Sequence, residues 1–300
     1  MFMSPLTGSN NVTLLRTIEA EQLIQNWQDS FQIDITDEIN NYQNIYLYQC
    51  NETQLKFFAP FDIAASDNIY VKLQNFDWYY MPDKWEYTVA LRDLSECQNI
   101  IEIGAGSGHF VKSVIDAGLN IKGIELNEAA VTAAQKKNLP VERLDLKEAS
   151  QLYWELLDGV CSFQVLEHVP NSKEFIGWSI QMLKPGGKLI YCVPNSESFL
   201  KYQDNLLDMP PHHMLLWSKE SFKALEKLFP IKLEKVIYEP LAPYHVSSYI
   251  GAYSSHFRSA SPLGKLLFNR HTLPFYQKCL SLGLRKLLNG QSLYVKFCKV

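Results

Sequence analysis

The feature that most constrains the fold is a regular alternation of apolar runs and helical stretches from residue 98 to residue 194. The apolar runs predict five buried strands: NIIEIG, NIKGIEL, VERLDL, DGVCSFQVL and KLIYCVP. Between them lie stretches of roughly 10–15 residues with helical periodicity. Strands spaced in this way pair in parallel through right-handed crossovers. The sequence therefore predicts a parallel sheet with helices on both faces.

The flanks of this core carry other patterns. Residues 13–30 place Leu15, Ile18, Leu23, Ile24 and Trp27 near one helical face and predict a short amphipathic helix. The segment NIYLYQCNETQLKFFAPF predicts a hairpin, and a helix follows with Trp85, Val89 and Leu94 facing inward. Near the C-terminus, residues 231–241 and 292–300 predict two further strands.

These elements together predict an α/β fold: a doubly wound, mostly parallel seven-stranded sheet of the Rossmann-like type. An aromatic helix and hairpin extension occupies residues 1–84, and the core occupies residues 85–241. A basic helical lid or insertion occupies residues 242–290, before the closing strand at residues 291–300.

Charge is distributed unevenly along the chain. Lys and Arg number 28 against 32 Asp and Glu, a net charge of -4, which argues against nucleic acid as a partner. Residues 242–290 nevertheless contain no Asp or Glu and six basic residues: Arg258, Lys265, Arg270, Lys278, Arg285 and Lys286. This segment is expected to close over an anionic acceptor, to meet a membrane surface or carrier protein, or to form a dimerisation face.

The cysteines and the first residues indicate the environment. The six cysteines are scattered without a CxxC pair, so we expect no metal site and a reducing environment. No signal-peptide pattern and no long apolar stretch is visible, and we expect a cytoplasmic protein, monomeric or homodimeric.

The turn after the first core strand reads EIGAGSGHF, residues 102–110. Glycines in such a turn allow the backbone to approach a ligand closely. The dinucleotide fingerprint requires a third glycine where this sequence has His109, so the spacing disfavours an NAD-dependent oxidoreductase.

The form E-x-G-x-G-x-G, followed by acids that end the next two strands, resembles class I S-adenosylmethionine-dependent methyltransferases. The resemblance covers roughly residues 85–240 and implies S-adenosyl-L-methionine as cofactor, with S-adenosyl-L-homocysteine as product. It implies that Glu125 binds the ribose hydroxyls, that Asp145 contacts the adenine, and that Gln164 lies near the methionine end. The implied cofactor-binding set is Glu102, Gly104, Ala105, Gly106, Gly108, Glu125, Leu126, Asp145, Leu146 and Gln164.

The segment FQVLEHV, residues 163–169, indicates which class of molecule accepts the methyl group. It lacks the Asn-Pro-Pro-Tyr-like tetrapeptide of nucleic-acid amino-methyltransferases and resembles the small-molecule branch, with its ubiquinone-pathway O-methyltransferases and its sugar and polysaccharide-cluster methyltransferases. Glu167 and His168 lie at this strand end, and Glu167 is either a base or a helix-start residue that binds backbone amides. His212 and His213, in MPPHHMLLW, are either a base and an acceptor-orienting group, or a histidine packed on Trp217 or capping the helix near Ser218.

Aromatic residues complete the prediction. The N-terminal segment resembles that of polysaccharide and deoxysugar methyltransferases in which paired cysteines hold zinc. Only Cys50 remains of such a set here, which again favours no metal. The candidate substrate-binding residues are Tyr79, Tyr80, Trp85, Trp217 and Tyr244, with core packing as the alternative for the first three.

The sequence thus predicts an enzyme that methylates oxygen on a small metabolite, nucleotide sugar, or glycan or natural-product precursor, with histidine-assisted removal of the acceptor proton. Two alternatives stay open. One is C-methylation of a sugar or natural product, and the other is a non-catalytic subunit that binds the cofactor and supports a catalytic partner.

Overall fold

Seven strands form the central sheet of the computed structural model, which describes residues 2–76, 79, 81 and 83–300. Five strands run parallel: β4 (Ile100–Ile103), β5 (Ile121–Glu125), β6 (Val141–Arg143), β7 (Leu157–Phe163) and β8 (Leu183–Pro194). The remaining two, β10 (Ile231–Pro240) and β11 (Asn289–Lys299), are antiparallel, and the order is β10-β11-β8-β7-β4-β5-β6. The predicted α/β fold with its antiparallel closing pair is confirmed.

Helices cover both faces of this sheet and the flanks. They are α1 (Ala20–Phe31), α2 (Thr36–Ile39), α3 (Asp67–Leu73), α4 (Trp85–Asp93), α5 (His109–Asp116), α6 (Glu128–Gln135), α7 (Leu146–Leu152), α8 (Ser172–Gln181), α9 (Lys219–Ala224), α10 (Val246–Ala260), α11 (Pro262–Leu267) and α12 (Thr272–Ser281). The side chain of Asn127 caps the N-terminus of α6, since Ala130 N donates to Asn127 Oδ1 at 3.0 Å. No helix of the described residues combines the length and apolar character needed to cross a bilayer.

A second sheet of four strands lies at the N-terminus, in the order β1 (Val12–Glu19), β2 (Asn44–Cys50), β3 (Lys56–Ala59) and β9 (Leu215–Leu216). The predicted hairpin is confirmed as β2 and β3, which pair antiparallel. The helix predicted from residue 13 is wrong in its first part, because residues up to Glu19 form a strand paired with β2. β-Branched Val12, Thr13, Thr17 and Ile18 suit a strand, and the adjacent edge of β2 satisfies their backbone groups.

The strand predicted as KLIYCVP, from Lys188, begins earlier in the structure. Helix α8 ends at Gln181, and β8 already begins at Leu183, so Pro185, Gly186 and Gly187 belong to the start of the strand. The register between β7 and β8 shifts across this stretch, which is how the sheet accommodates residues that cannot form a regular ladder.

The short strand β9 connects the two sheets. It comes from the loop after β8 and pairs with β3 of the N-terminal sheet. Two backbone hydrogen bonds reinforce this connection, from Phe58 N to Met214 O at 2.8 Å and from Ala65 N to Pro211 O at 2.9 Å. Strand β3 and the segment around Ala65 therefore pack directly on the loop that carries the histidine pair.

Close packing between β5 and α5 depends on Gly123. A Cβ atom there would lie 2.6 Å from Ala105 Cβ and 3.1 Å from Val111 Cγ2. By contrast, a Cβ at Gly177, inside α8, would find only Phe229 Cε1, at 3.9 Å.

These two glycines are expected to respond oppositely to the same substitution. Gly123→Ala should lower the free energy of unfolding by about 1–3 kcal/mol through overpacking. Gly177→Ala should raise it by roughly 0.5–1 kcal/mol through helix propensity. Urea unfolding followed by circular dichroism measures both, and a neutral or stabilising Gly123→Ala would contradict the packing described.

Candidate active site

The glycine turn after β4 has a backbone that other residues adopt poorly. Gly104 and Gly108 have φ of +72° and +79°. A Cβ at Gly104 would lie 2.5 Å from Val165 Cγ2, and one at Gly108 would lie 2.8 Å from Leu139 Cδ1. Both positions therefore require glycine for conformation and for space. The turn presents bare backbone at the carboxyl ends of the strands, where parallel sheets bind ligands.

Glu125 holds this turn against the end of β5. Its Oε2 accepts from Gly106 N at 2.9 Å, and its Oε1 accepts from Leu126 N at 2.8 Å and Asn127 N at 2.9 Å. A carboxylate has about four acceptor positions, so Glu125 can still accept from hydroxyl groups of a ligand.

Glu102 is the second acid of the turn and lies beneath it. The side chain is 2% exposed, and Oε2 has no hydrogen-bond partner among the described residues. Burial raises the pKa of Glu102 well above its usual range, with Lys84 opposing the shift and Glu125 adding to it. Its role in this structure is internal, beneath the glycine backbone.

The other predicted cofactor residues divide into surface and core. Asp145 does not end β6 as predicted but lies two residues after it, where it caps α7 and accepts from Lys147 N at 2.8 Å and Glu148 N at 3.3 Å. Leu126 is 63% exposed beside Glu125, whereas Ala105 and Leu146 are buried. The Leu126 side chain is therefore accessible to a ligand, whereas Ala105 and Leu146 pack in the protein interior.

Gln164 follows β7 with φ of +57°, a strained value for a residue with a side chain. Its Nε2 lies 3.5 Å from Glu86 Oε1 and 3.8 Å from Cys192 Sγ. Glu86 is 4% exposed on the first turn of α4, and sequence reasoning missed it because nothing in the helical spacing distinguishes a buried acid from an exposed one. The pair Gln164 and Glu86 lies directly beside Val165, which covers the glycine turn.

Two of the three histidines that sequence reasoning singled out have defined tautomers. His168 Nδ1 donates to His212 O at 2.6 Å, and His212 Nδ1 donates to Leu207 O at 2.8 Å. A carbonyl oxygen only accepts, so both Nδ1 atoms carry the proton. Neutral His212 must then accept at Nε2 from the Tyr79 hydroxyl, 2.9 Å away. The alternative roles for His212, packing on Trp217 or capping α9, are not adopted, since Ser218 caps that helix itself.

Burial keeps these imidazoles neutral. It lowers the pKa of His168 to about 4 and the pKa values of His212 and His213 well below the usual range. The neighbouring histidines lower the last two pKa values further. At neutral pH all three rings are therefore uncharged.

Asp208 is a functional candidate that sequence reasoning missed. Its Oδ1 lies 3.3 Å from His213 Nδ1, and its Oδ2 accepts from Asn205 Nδ2 at 2.9 Å. Burial raises the pKa of Asp208 to about 6, and the hydrogen bond from Asn205 opposes the shift. Asp208 lies five residues before His213 in the sequence. This separation fits neither helical nor strand periodicity, so the sequence pattern does not indicate that the two side chains meet.

A cavity of about 210 Å³ opens beside Asp208, between the end of β8 and the N-terminal sheet. Its lining includes amide and hydroxyl side chains as well as cations that are already paired. Arg16 lies 2.6 Å from Asp204, and Lys56 lies 2.8 Å from Glu197. The amide and hydroxyl group comprises Asn195, Ser196, Ser198, Gln203, Asn205 and Gln291.

The aromatic candidates are dispersed. Tyr79 contacts His212, whereas Trp217 is fully buried and stacks on Phe222, with ring centroids 4.6 Å apart. Trp85 is half-buried against Tyr294, and Tyr244 is 60% exposed. Tyr80 lies outside the described residues. Of this group, Tyr79 alone contacts the histidine cluster among the residues described, and Trp217 packs the core.

The distances alone would allow the histidine cluster to hold a metal ion. One ring nitrogen from each of His168, His212 and His213 lies within 4.8 Å of the others. However, the rings of His212 and His213 stack, with centroids 4.4 Å and planes 19° apart. Nitrogen lone pairs lie in the ring plane, so nearly parallel rings do not direct them to one point. The stacked rings of His212 and His213 therefore lack the converging arrangement of metal ligands.

Glu167 is 1% exposed, and neither carboxylate oxygen has a hydrogen-bond partner within the described part of the chain. The alternative role at a helix start, binding backbone amides, is therefore not visible in its contacts. Burial raises the pKa of Glu167 to about 8, so the folded protein keeps this carboxyl protonated at neutral pH.

This raised pKa makes the stability depend on pH. The folded state binds a proton that the unfolded chain releases above about 4.5, so stability should fall as the pH rises from there to about 8. Glu167→Gln removes the ionisation and should raise the free energy of unfolding by about 2–4 kcal/mol at pH 8, with little effect near pH 4. Urea unfolding across this pH range tests it, with the exposed Glu174→Gln in α8 as control. Equal pH dependence in the wild type and Glu167→Gln would contradict the raised pKa.

Comparison with known proteins shows the family to which the chain belongs. A family described as methyltransferase domain matches residues 74–229, more than half of the chain. Ubiquinone biosynthesis O-methyltransferase from Hydrogenovibrio crunogenus is 30% identical over 106 residues, covering 33% of this chain and 44% of the relative. The mitochondrial enzyme of the same name from Dictyostelium discoideum is 27% identical, covering 36% and 39%. The chain thus spans less than half the length of these two curated relatives.

Solved structures with similar architecture include a SAM dependent methyltransferase from Archaeoglobus fulgidus. That structure is 18% identical with a TM-score of 0.49, covering 78% of this chain and all of the other. A geranyl diphosphate C-methyltransferase from Streptomyces coelicolor is 10% identical with a TM-score of 0.48, covering 72% and 80%. The family match includes the glycine turn, Glu125, Asp145 and Gln164. The chain belongs to the methyltransferase-domain family, the class I S-adenosylmethionine-dependent methyltransferases.

Proposed function

We propose that this protein methylates a hydroxyl oxygen of a small polar acceptor, and that Asp208 and His213 together remove the acceptor proton. The observation that carries the proposal is the Asp208 carboxylate, which lines the cavity on one side and lies 3.3 Å from His213 on the other. A base of this kind is needed for an oxygen acceptor, since a neutral hydroxyl is a weak nucleophile.

The residues around the glycine turn fit the family's cofactor. The turn exposes backbone where a Cβ would clash, and Glu125 retains capacity for ribose hydroxyls. Leu126 and Asp145 flank the position for an adenine, and Gln164 lies toward the methionine end. S-adenosylmethionine supplies an electrophilic methyl group when bound. The chain's own contribution is to align the acceptor oxygen with it and to exclude water.

The cavity favours a hydroxylated acceptor such as a sugar, glycan precursor or other small metabolite. Its volume, about 210 Å³, is below the range of roughly 300–1,000 Å³ typical for drug-sized ligands and therefore suits a single ring. Amide and hydroxyl side chains match several hydroxyl groups at once. Because Arg16 and Lys56 are already paired with acids, an anionic acceptor would have to displace those partners.

The proton path uses groups whose protonation states are set by burial. Asp208, with a pKa raised to about 6, is mostly ionised at neutral pH yet is a stronger base than an exposed aspartate. His213, whose Nδ1 lies 3.3 Å from Asp208 Oδ1, stays uncharged because burial and His168 lower its pKa, so the Asp208 carboxyl takes up the proton beside a neutral ring. Tyr79 and His212 hold the loop in position through their hydrogen bond. The O-methyltransferase names of the relatives above agree with an oxygen acceptor.

The proton-removal step predicts a specific loss. Asp208→Asn and His213→Gln should each lower kcat by about 10²–10⁴ while leaving S-adenosylhomocysteine affinity unchanged. In the wild type, kcat should fall as the pH drops through about 6, because Asp208 becomes protonated, and Asp208→Asn should lack this step. The measurement is S-adenosylhomocysteine release with a panel of sugars, nucleotide sugars and phenols, with the exposed His271→Gln as control. Wild-type kcat in both variants would refute the assigned base, and methylation of carbon in the product would refute the oxygen acceptor.

The role of Glu125 predicts a loss of cofactor affinity. Glu125→Gln removes the charge that accepts three backbone amides and should weaken S-adenosylhomocysteine binding about 10–100-fold. Calorimetric titration measures this. Glu128→Gln is the matched control, since Glu128 is exposed at the start of α6 and its partner among the described residues is Arg143. Unchanged affinity in Glu125→Gln would show that the cofactor does not use this carboxylate.

A further inference from the structure

The helical insertion presents an unusual surface. Its helices α10, α11 and α12, with the turn up to Leu287, expose large apolar side chains together with an excess of positive charge. We propose that this surface docks the protein on an anionic phospholipid bilayer. The inference does not depend on the acceptor or on the proton-removal step.

Apolar exposure is concentrated in this segment. Leu263, Leu266 and Phe275 are 61%, 69% and 64% exposed, and Leu282 and Leu287 are 78% and 82% exposed. Exposure of leucine and phenylalanine side chains to water is energetically unfavourable. Clusters of such exposed side chains mark interaction surfaces. They lie on α11, on α12 and in the turn after α12, three successive elements of the insertion.

The charges of the segment have one sign. Residues 242–290 contain six basic residues and no acid, in a chain whose net charge is -4. Five of the six are exposed, and Arg285 alone is half-buried, with Nη1 donating to Leu241 O at 2.9 Å. None of the ion pairs found among the described residues involves this segment. These cations have no acidic partner within it and are available to an external one.

The helical insertion packs around a small hydrophobic core of its own. Phe199, Leu241, Val246 and Ala252 are buried together between α10 and the turn after β8. Helices α10 and α11 approach so closely that a Cβ at Gly264 would lie 1.8 Å from Phe257 O. The apolar face is therefore left exposed by a packed structure and not by the absence of one.

The charge pattern distinguishes among partners. A two-fold dimer would place the same patch of six cations against its copy, and like charges in a desolvated interface are repulsive. A nucleic acid would match the charge but not the exposed leucines. An anionic bilayer matches both, since cations meet phosphate headgroups while Leu and Phe side chains enter the acyl boundary.

The insertion contacts the stretch of chain that lines the cavity. Helix α10 packs on the turn Phe199–Tyr202, and Gln203 Nε2 donates to Ser248 O at 3.5 Å. Leu200, Lys201 and Gln203 of this same stretch line the cavity. The insertion that carries the proposed docking surface is therefore joined to the cavity wall through α10.

Sedimentation with lipid vesicles tests the proposal on the full chain. The probes are vesicles of phosphatidylcholine alone and of phosphatidylcholine mixed with phosphatidylglycerol, over a range of salt concentrations. The wild type should bind the anionic vesicles, with affinity that falls as salt rises, and should bind the neutral ones weakly.

Two sets of variants separate charge from apolar contact. Lys265→Glu, Lys278→Glu and Lys286→Glu together should weaken binding at least about tenfold. The matched control, Lys219→Glu, Lys223→Glu and Lys227→Glu, changes the same charge on α9 and the turn after it and should bind as the wild type. Leu282→Ser with Leu287→Ser should also weaken binding, whereas Leu152→Ser with Leu156→Ser, exposed on the core, should not. Far-ultraviolet circular dichroism checks that each variant is folded.

Three results would overturn the proposal. The first is no binding of the wild type to anionic vesicles at low salt. The second is an equal loss in the control variants. The third is a wild-type dimer, seen by light scattering, that Leu282→Ser with Leu287→Ser converts to monomer without any vesicle binding, since the face would then be a subunit interface.

Discussion

The arrangement of the histidine cluster depends on the hydrogen bonds that hold residues 207–216 between the two sheets. Trp27 Nε1 donates to Pro210 O at 3.1 Å, and Met214 N donates to Glu167 O at 3.0 Å. Phe58 N donates to Met214 O, and β9 completes the connection to β3. The N-terminal sheet, α1 and the segment after β7 therefore all hold one loop. Without them His212 and His213 would have no fixed relation to the end of the parallel sheet.

Burial then determines the chemistry that these residues can perform. The same desolvation lowers the pKa values of the histidines and raises those of Asp208 and Glu167. Both shifts favour the uncharged form. Glu167 and the three histidines are therefore uncharged at neutral pH, whereas Asp208, with a pKa of about 6, is mostly ionised.

Charge is separated at the level of the whole molecule. The parallel core and N-terminal sheet carry the excess of acid, and the insertion between β10 and β11 carries an uncompensated positive charge. Because the insertion joins two paired strands, it can vary in sequence without disturbing the central sheet. The fold thereby keeps the glycine turn, the cavity beside Asp208 and the basic insertion on separate elements.

Sequence alone determined the parts whose signal is local. Periodicity gives the strands of the central sheet, and the spacing of the glycines with Glu125 and Asp145 gives the cofactor side, because these residues lie at or just after the ends of strands whose carboxyl edge is shared. Tertiary structure decided the rest. Residues 12–19 form a strand because they pair with β2. Glu86 and Asp208 are acids whose position beside the candidate site follows from their burial in the folded chain. Trp217 lies in the core. These outcomes depend on contacts between residues far apart in the chain, and neither periodicity nor spacing carries information about desolvation or long-range pairing.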